Sequence, residues 1–205
     1  MLDEMPPGRE NDVERFDRWA ATYDQSKLQR WYFDPVHAAM LDLIERVEPV
    51  KSAASILDIG CGTGRLLRAI SARWPSARLF GVDPAQRMIL KAARLNPSAD
   101  FHLAHAEALP LPSHSMDLVL SSISFHHWAD QSKGLREIRR VLRPGGLFAL
   151  ADHTLWLGRL FNERVRARRT LHGLLDAAGL AVRAQRRMWL QFVLLTLAVS
   201  PESTD

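Results

Sequence analysis

The sequence contains one cysteine, Cys61, in 205 residues, and no apolar run near the roughly 18 residues that cross a bilayer. A lone cysteine excludes an internal disulfide and provides no ligand cluster for a structural zinc ion, so no metal site is predicted. The first ten residues lack the basic start and apolar centre of a signal peptide. With 47% hydrophobic and 24% charged residues, the composition is that of a globular domain, and we expect a soluble protein of the cytoplasm.

The net charge of +4 comes from one segment of the chain. Residues 159–187 hold eight arginines against Glu163 and Asp176. Charge runs are most often the solvated face of a helix, but a basic patch can also attract phosphate, anionic lipid or an acidic partner. Trp156 and Phe161 lie beside these arginines, a combination that suits peripheral contact with a membrane or a homodimer interface.

The sequence indicates a single domain without internal repeats. Spaced apolar residues near the N-terminus predict two helices that close over a site, and short apolar runs begin only after them. The predicted parts are a flexible tail at 1–12, lid helices at 13–47, a central core at 53–152, and a last part at 153–205 with a short lid segment, a helix and a closing hairpin.

Short apolar runs alternate with helical segments through the central core. Strands are predicted at 55–59, 78–82, 100–104, 117–122 and 146–151, and helices at 63–73, 85–95 and 131–142. This alternation is typical of an α/β fold with a mostly parallel sheet and helices on both faces. In such a sheet the ligand lies beyond the carboxyl ends of the strands, so functional residues are expected in the turns that follow them.

Glycine occupies every second position of the turn after the first strand, at Gly60, Gly62 and Gly64. Missing β-carbons let backbone amides approach a nucleotide-like ligand closely. A dinucleotide-binding turn has a glycine or alanine three positions after its second glycine, where this chain has Arg65, so a dehydrogenase is disfavoured. Asp83 ends the second strand, and a carboxylate at about this separation can accept both hydroxyls of a ribose.

Five motifs, in order, resemble those of class I S-adenosylmethionine-dependent methyltransferases. They are Asp-Ile-Gly-Cys-Gly-Thr-Gly (58–64), Gly-Val-Asp (81–83), Ala-Glu-Ala-Leu-Pro-Leu-Pro (106–112), Met-Asp-Leu-Val-Leu-Ser (116–121) and Val-Leu-Arg-Pro-Gly-Gly (141–146). More narrowly, the chain is similar to the small-molecule group that includes the ubiquinone and menaquinone C-methyltransferases. The resemblance implies a Rossmann-like sheet of seven strands with an antiparallel last strand, and a central core that binds S-adenosyl-L-methionine.

The resemblance also implies particular contacts to this cofactor. The backbone of Gly60–Gly62 would face its methionine part, Asp83 its ribose and Met88 its adenine, while Tyr23 would reach its carboxylate end. Cys61 is then a small residue in a tight turn and not a nucleophile. The implied cofactor-binding residues are Tyr23, Asp58, Gly60, Cys61, Gly62, Gly64, Asp83, Pro84, Met88, Ala106, Glu107 and Ser121.

One departure from the family pattern concerns the adenine. Members of the family usually have an aspartate before the Ala-Glu pair, where this chain has His105. A neutral imidazole nitrogen can accept the hydrogen bond of the adenine amine, and a protonated one cannot. We therefore expect cofactor binding to weaken at acid pH.

Two adjacent histidines, His126 and His127, follow the fourth strand, where the transferable methyl group should lie. A base is needed only when the acceptor must lose a proton, and a histidine suits that role near neutral pH. Plant-type O-methyltransferases carry their catalytic histidine in a similar stretch, so His126 is the candidate general base; a packed histidine that shapes the cavity is the alternative. His127 is interpreted as packing against helix 131–142. His153 is a weaker candidate base, with a capping or surface histidine as its alternative.

The acceptor is expected to be an oxygen or carbon of a small molecule, with lipophilic character. The Asn/Asp-Pro-Pro-aromatic motif of methyltransferases that modify conjugated amino groups is absent, since residues 121–124 are Ser-Ser-Ile-Ser, and the Pro-Cys nucleophile of cytosine C5 enzymes is absent too. These absences favour a small molecule over nucleic acid. Two alternatives stay open: an RNA or protein methyltransferase that uses the 159–187 arginines, and a non-catalytic partner subunit that binds the cofactor.

Overall fold

The computed structural model describes residues 9–27, 29–153, 168–188 and 193–202. Within these ranges the sheet has seven strands, β1 Ser55–Ile59, β2 Arg78–Asp83, β3 Asp100–Leu103, β4 Met116–Ser122, β5 Leu142–His153, β6 Ala181–Met188 and β7 Val193–Val199. They lie in the order β3-β2-β1-β4-β5-β7-β6. Neighbouring strands from β3 to β5 are parallel, whereas β7 runs antiparallel to both β5 and β6. The predicted seven-stranded, mostly parallel sheet with an antiparallel last strand is confirmed.

Six α-helices accompany the sheet in the described part of the chain. They are α1 Arg9–Trp19, α2 Asp34–Val47, α3 Arg65–Arg73, α4 Gln86–Leu95, α5 Gln131–Val141 and α6 Arg168–Ala177. A π-helix at Gln29–Phe33 leads directly into α2, and a 3₁₀ helix at Phe125–His127 follows β4. Among the described residues, no helix combines the length and the apolar character that crossing a membrane requires.

The sheet carries an apolar core on each side, because successive residues of a buried strand point to opposite faces. In β1, Ile56 belongs to a core that also contains Met40 of α2 and Leu67 of α3. The next residue, Leu57, belongs to the opposite core, together with Leu135 of α5 and residues of α6. Helices therefore cover both faces, as predicted.

Two boundaries differ from the sequence-based expectation. Helix α1 begins at Arg9, inside the segment predicted as a tail. Strand β5 begins at Leu142, which pairs with Met116, and its ladder with β4 resumes only where Leu147 meets Leu118. The Arg-Pro-Gly-Gly turn between these two pairs bulges out of the ladder. The apolar run of β5 therefore begins only after this turn, which is why the sequence predicts a later start for the strand. Residues 154–167 of the predicted lid segment lie outside the described residues.

The carboxyl ends of β1, β2, β4 and β5 meet at one edge of the sheet, since these strands are parallel neighbours. Helix α1 is tied to α4 across this edge. The Lys91 ammonium of α4 donates to the carbonyls of Ala20 and Ala21, at 2.8 and 3.1 Å, and lies 3.0 Å from the Asp24 carboxylate. The N-terminal helices therefore form a roof over the turns in which the sequence predicts function.

Candidate active site

The turn after β1 has a backbone conformation that glycine adopts readily. Gly60, Gly62 and Gly64 have φ values of 73°, 52° and 73°, all in the left-handed region. The amide of Gly60 donates to the carbonyl of Val82 at 2.8 Å, which ties the turn to β2. A β-carbon on Gly60 would collide with the side chain of Ser124, so position 60 requires glycine for space as well as for φ.

Asp83 connects this turn with the one that follows β2. Its Oδ2 accepts the amide of Gly62 at 2.9 Å, and its Oδ1 accepts the amide of Ala85 at 2.9 Å. Burial raises the pKa of Asp83 to about 6, although the two amide donors oppose that rise. Each carboxylate oxygen can accept more than one hydrogen bond, so Asp83 can hold the turn and still accept from a ribose.

A cavity of about 650 Å³ lies between these turns and the N-terminal helices, within the size range of ligand sites. Its aromatic walls include Phe16 and Trp19 of α1 and Phe33 of the π-helix. His105 lines it as well. Seven of the twelve implied cofactor contacts line this cavity: Tyr23, Gly60, Gly62, Asp83, Pro84, Met88 and Glu107.

The other five implied contacts do not line the main cavity. Asp58 and Cys61 line a smaller chamber beside the glycine turn. Burial, with Asp83 and Asp58 adding to it, raises the pKa of the Cys61 thiol, which therefore stays neutral and is a poor nucleophile. Ala106 and Ser121 are buried behind the walls, and a β-carbon on Gly64 would lie 2.6 Å from the Asn96 amide nitrogen, so that glycine serves packing.

A histidine–carboxylate pair forms where β5 ends beside the 3₁₀ helix. Asp152 accepts the backbone amides of His126 and His153, at 3.0 and 2.7 Å, and its Oδ1 lies 2.8 Å from His126 Nδ1. Burial alone would raise the pKa of Asp152, but the His126 imidazole and these hydrogen bonds lower it well below its usual range. The carboxylate is therefore charged at neutral pH and orients the His126 ring.

His153 is held by the N-terminal segment. Its Nε2 lies 2.7 Å from the hydroxyl of Tyr32 in the π-helix, and the two rings stack with centroids 6.1 Å apart. His126, Asp152 and His153 offer ligand atoms within 4.8 Å of one another, a spacing that a metal ion could use. Both Asp152 oxygens already accept hydrogen bonds from the two histidines, so a metal ion would have to displace this pairing.

The sequence predicts that His127 packs against helix 131–142, but the structure places it elsewhere. It lines the main cavity, its Nδ1 lies 3.1 Å from Asp12 Oδ2, and its ring meets the edge of Phe16 at 5.3 Å between centroids. Burial and the neighbouring His126 lower the pKa of His127 to about 4, against the opposite influence of Asp12. His126 is not among the described residues that line this cavity; its ring centroid lies 4.0 Å from that of His127.

Several residues of this region could not be found from local sequence pattern. Asp12 falls in the predicted tail, and Tyr32 falls in a segment with ordinary helical spacing. Only one feature of the sequence indicates a role for Asp152: it follows a predicted strand and precedes the candidate base His153. Their partners lie more than 20 residues away in sequence, 115 for Asp12 and 121 for Tyr32, so only the folded chain brings them together.

Comparisons with known proteins agree with this architecture. A family model described as a methyltransferase domain matches residues 57–150. The chain is 40% identical over 143 residues to a malonyl-[acyl-carrier protein] O-methyltransferase of Methylovorus, across 64% of this chain and 46% of that protein. It is 30% identical over 140 residues to a demethylmenaquinone methyltransferase of Chlorobaculum parvum, across 64% of this chain and 55% of that protein. The chain thus spans about half the length of these curated relatives.

Solved structures show the same fold. A SAM-dependent methyltransferase from Aquifex aeolicus superposes with a TM-score of 0.70 at 16% identity, over 95% of this chain and all of that one. At this identity the likeness concerns the fold alone. The family match and the curated relatives together confirm the resemblance to methyltransferases that the five sequence motifs indicate.

Proposed function

Because residues 57–150 match a family model described as a methyltransferase domain, we propose that the protein is a class I S-adenosylmethionine-dependent methyltransferase that methylates an oxygen or carbon of a small, lipophilic molecule. The observation that carries the proposal is the main cavity. Asp83, His105 and Glu107 line it at the turns after β2 and β3, while Phe16 and Trp19 of α1 and Phe33 of the π-helix add aromatic surface on the side of the N-terminal helices. Polar groups for a nucleoside and aromatic surface for an acceptor, within one cavity, suit a cofactor beside a lipophilic acceptor.

The residues present fit the cofactor that the family uses. Asp83 would accept from the ribose, and Met88 with His105 would bound the adenine. Tyr23 and the backbone at Gly60 and Gly62 would face the methionine part. When bound, S-adenosyl-L-methionine supplies an activated methyl group on a sulfonium centre. The chain's own task is then to align donor and acceptor and, for a hydroxyl acceptor, to remove one proton.

His126 is the proposed general base for such an acceptor. Asp152 lies 2.8 Å from His126 Nδ1 and carries a negative charge at neutral pH, so it orients the ring and would stabilise the imidazolium that forms when His126 takes a proton. His153 is the weaker candidate because its Nε2 is already within 2.7 Å of the Tyr32 hydroxyl. His127 lines the cavity beside His126 and stays neutral near pH 7, where it can orient an acceptor.

Thermal melting with ligands tests the cofactor part of the proposal. S-adenosylhomocysteine at about 100 times its dissociation constant should stabilise the fold by about 2.7 kcal/mol, whereas NAD at the same concentration should not. Transfer of labelled methyl from S-adenosyl-L-methionine to a panel of phenols, quinols and carboxylic acids then tests the reaction. Stabilisation by NAD alone would contradict the proposal, and binding without transfer to any acceptor would favour a non-catalytic subunit.

The remaining expectations stay predictions. Among the eight arginines of 159–187, the side chains of Arg183, Arg186 and Arg187 are described, on β6, and nothing in their surroundings favours RNA or protein as the acceptor. Trp156 and Phe161, on which membrane contact or a homodimer would depend, lie outside the described residues. A cytoplasmic location is likewise proposed from the sequence alone.

A further inference from the structure

Asp152 is a buried carboxylate without a permanent counter-charge. It is 8% exposed, and its hydrogen bonds and ion pairs go to His126 and His153. Among the described residues, no lysine or arginine is paired with it, whereas Asp24 at the same edge of the sheet lies within 4.0 Å of three such side chains. A buried charge is ordinarily paired or bound to a metal ion. Histidine is a cation only when protonated, so a metal ion is a suitable partner for Asp152.

Two imidazole rings turn a nitrogen toward the same oxygen of this carboxylate. Asp152 Oδ1 lies 2.8 Å from His126 Nδ1 and 3.5 Å from His153 Nδ1. The three side chains offer ligand atoms that all lie within 4.8 Å of one another. Two imidazole nitrogens with one carboxylate oxygen suit zinc and similar transition metals without any cysteine, whereas magnesium and calcium prefer oxygen ligands alone. The ligand set therefore favours a divalent transition metal.

The spacing of these ligand atoms is close to that of a tetrahedral metal site. Zinc bonds of about 2.0–2.1 Å at tetrahedral angles place neighbouring ligand atoms about 3.4 Å apart. The distance from His153 Nδ1 to Asp152 Oδ1 is already 3.5 Å. The distance from His126 Nδ1 to the same oxygen, 2.8 Å, would have to increase by about 0.6 Å. An ion would replace the proton in that hydrogen bond, which leaves the oxygen lone pair to the metal.

Tyr32 is placed to orient one of the ligands. Its hydroxyl lies 2.7 Å from His153 Nε2, the second nitrogen of that ring, and the two rings stack. Metal-binding histidines usually donate their second ring N–H to an oxygen atom, which fixes the tautomer with a bare nitrogen toward the ion. A tyrosine hydroxyl can accept this hydrogen bond. Because Tyr32 belongs to the π-helix, the N-terminal segment would help to position an ion at the end of β5.

We propose that His126 Nδ1, Asp152 Oδ1 and His153 Nδ1 bind a divalent transition-metal ion such as zinc, with Tyr32 as the outer partner of His153. Three protein ligands leave the fourth position of a tetrahedral site to water. The inference concerns ion binding and does not depend on the proposed methyl transfer. An ion on His126 Nδ1 would replace the contact with Asp152 that the base role requires, so His126 can serve only one of the two roles at a time.

Titration with zinc tests the proposal without measuring turnover. The untagged full chain is first stripped with a chelator, and calorimetry should then show one Zn²⁺ bound per chain. Co²⁺ should compete for the same site and give the visible absorption of tetrahedral cobalt. Tyr32→Phe keeps all three ligands and loses only the outer hydrogen bond, so it should weaken zinc binding by about 10- to 100-fold. His153→Asn removes a ligand and should weaken zinc binding further.

His172→Asn is the matched control. His172 of α6, like His153, has its Nε2 near a side-chain oxygen, that of Gln185 at 3.1 Å, but it belongs to no group of metal-ligating side chains in the described structure. This variant should keep zinc affinity within about twofold of the wild type. Tyr32→Phe and His153→Asn leave both backbone amide bonds to Asp152 in place, and circular dichroism reports folding in each case.

Three outcomes would contradict the inference. The first is a zinc dissociation constant weaker than about 100 μM in the wild type. The second is unchanged zinc binding in both Tyr32→Phe and His153→Asn, which would place the ion on other side chains. The third is equal affinity for Mg²⁺ and Zn²⁺, because an ion held by charge alone does not require imidazole nitrogen. None of these results would affect the proposed function, which is measured by S-adenosylhomocysteine binding and methyl transfer.

Discussion

The two ends of the main cavity are built in different ways. At the nucleoside end, the turns after β1 and β2 are joined through Asp83 by backbone amides, including that of Gly62, 21 residues away. On the side of the N-terminal helices, side-chain contacts reach late parts of the chain. Asp12 contacts His127, and both line the cavity; Tyr32 contacts His153, and these two are not among the described residues that line it. The first end depends on strand topology and backbone conformation, and the second on side-chain identity. Substitutions at the two ends should therefore separate cofactor affinity from turnover.

The largest expected effect tests whether the second end carries the chemistry. His126→Asn should lower turnover of a hydroxyl acceptor by about 100-fold or more, because the base held by Asp152 is lost. Its affinity for S-adenosylhomocysteine should stay within about twofold of the wild type, since the nucleoside end is unaltered. Single-turnover kinetics and calorimetric titration measure the two quantities.

His114→Asn is the control for this substitution, because His114 is exposed and lines neither the main cavity nor the chamber. It should change neither quantity. Unchanged turnover in His126→Asn would make the segment after β4 a cavity wall and leave the reaction to alignment alone.

The second-largest expected effect is on the free energy of unfolding, which should depend on pH through two buried carboxyl groups. Burial and the charge of Asp83 raise the pKa of Asp58 to about 8, and Asp83 itself is raised to about 6. Above pH 4 the folded protein then retains protons that the unfolded chain has released. The free energy of unfolding should fall as pH rises from about 4 to about 8, by at most about 1.4 kcal/mol per pH unit for each group.

Asp58→Asn should remove part of this slope, by about 1–2 kcal/mol between pH 6 and pH 8. Urea unfolding of the ligand-free protein at several pH values measures it, and Asp176→Asn on α6, where the aspartate is exposed, is the matched control. Parallel stability curves for Asp58→Asn and the wild type would show that Asp58 titrates normally.

The third effect tests the backbone at the nucleoside end. Gly60→Ala forces a non-glycine residue to a φ of 73° and drives its β-carbon into Ser124. The conformational part alone costs about 1–2 kcal/mol, so affinity for S-adenosylhomocysteine should fall by about tenfold or more. Calorimetric titration measures the loss.

Gly173→Ala provides the comparison, because its helical backbone is ordinary and no atom lies within 4 Å of the added carbon. It should leave affinity unchanged and add about 0.5–1 kcal/mol of stability. Equal affinities for Gly60→Ala and the wild type would mean that the turn can shift without losing its ligand.

The smallest effect concerns adenine recognition. If His105 accepts from the adenine amine, His105→Ala should weaken the affinity for S-adenosylhomocysteine severalfold, because that hydrogen bond is lost. His105→Asp keeps an acceptor and should retain most of the affinity. Calorimetric titration measures both variants, and unchanged affinity in His105→Ala would remove His105 from adenine recognition.

Much of the nucleoside end could be predicted from sequence. Gly60, Gly62 and Asp83 lie in contiguous motifs at the ends of strands, and a parallel sheet brings such ends together whatever the side chains nearby. The histidines show the limit of that reasoning. His126 and His127 are neighbours in the same motif, yet one faces Asp152 and the other Asp12 and the cavity, a choice made by the 3₁₀ turn and by contacts from α1.

The sequence by itself determined the order of strands and helices, the glycine turn, the acid that ends the second strand and the resemblance to methyltransferases, because each depends on residues close together in the chain. Only the tertiary structure decided that Gln29, His37 and Asp58 share one chamber, and that His127 lines the main cavity. Those groups come from a π-helix, a helix, a strand and a 3₁₀ turn. Their proximity results from how the N-terminal helices pack against the sheet, which depends on the summed contacts of two apolar cores and leaves no local pattern.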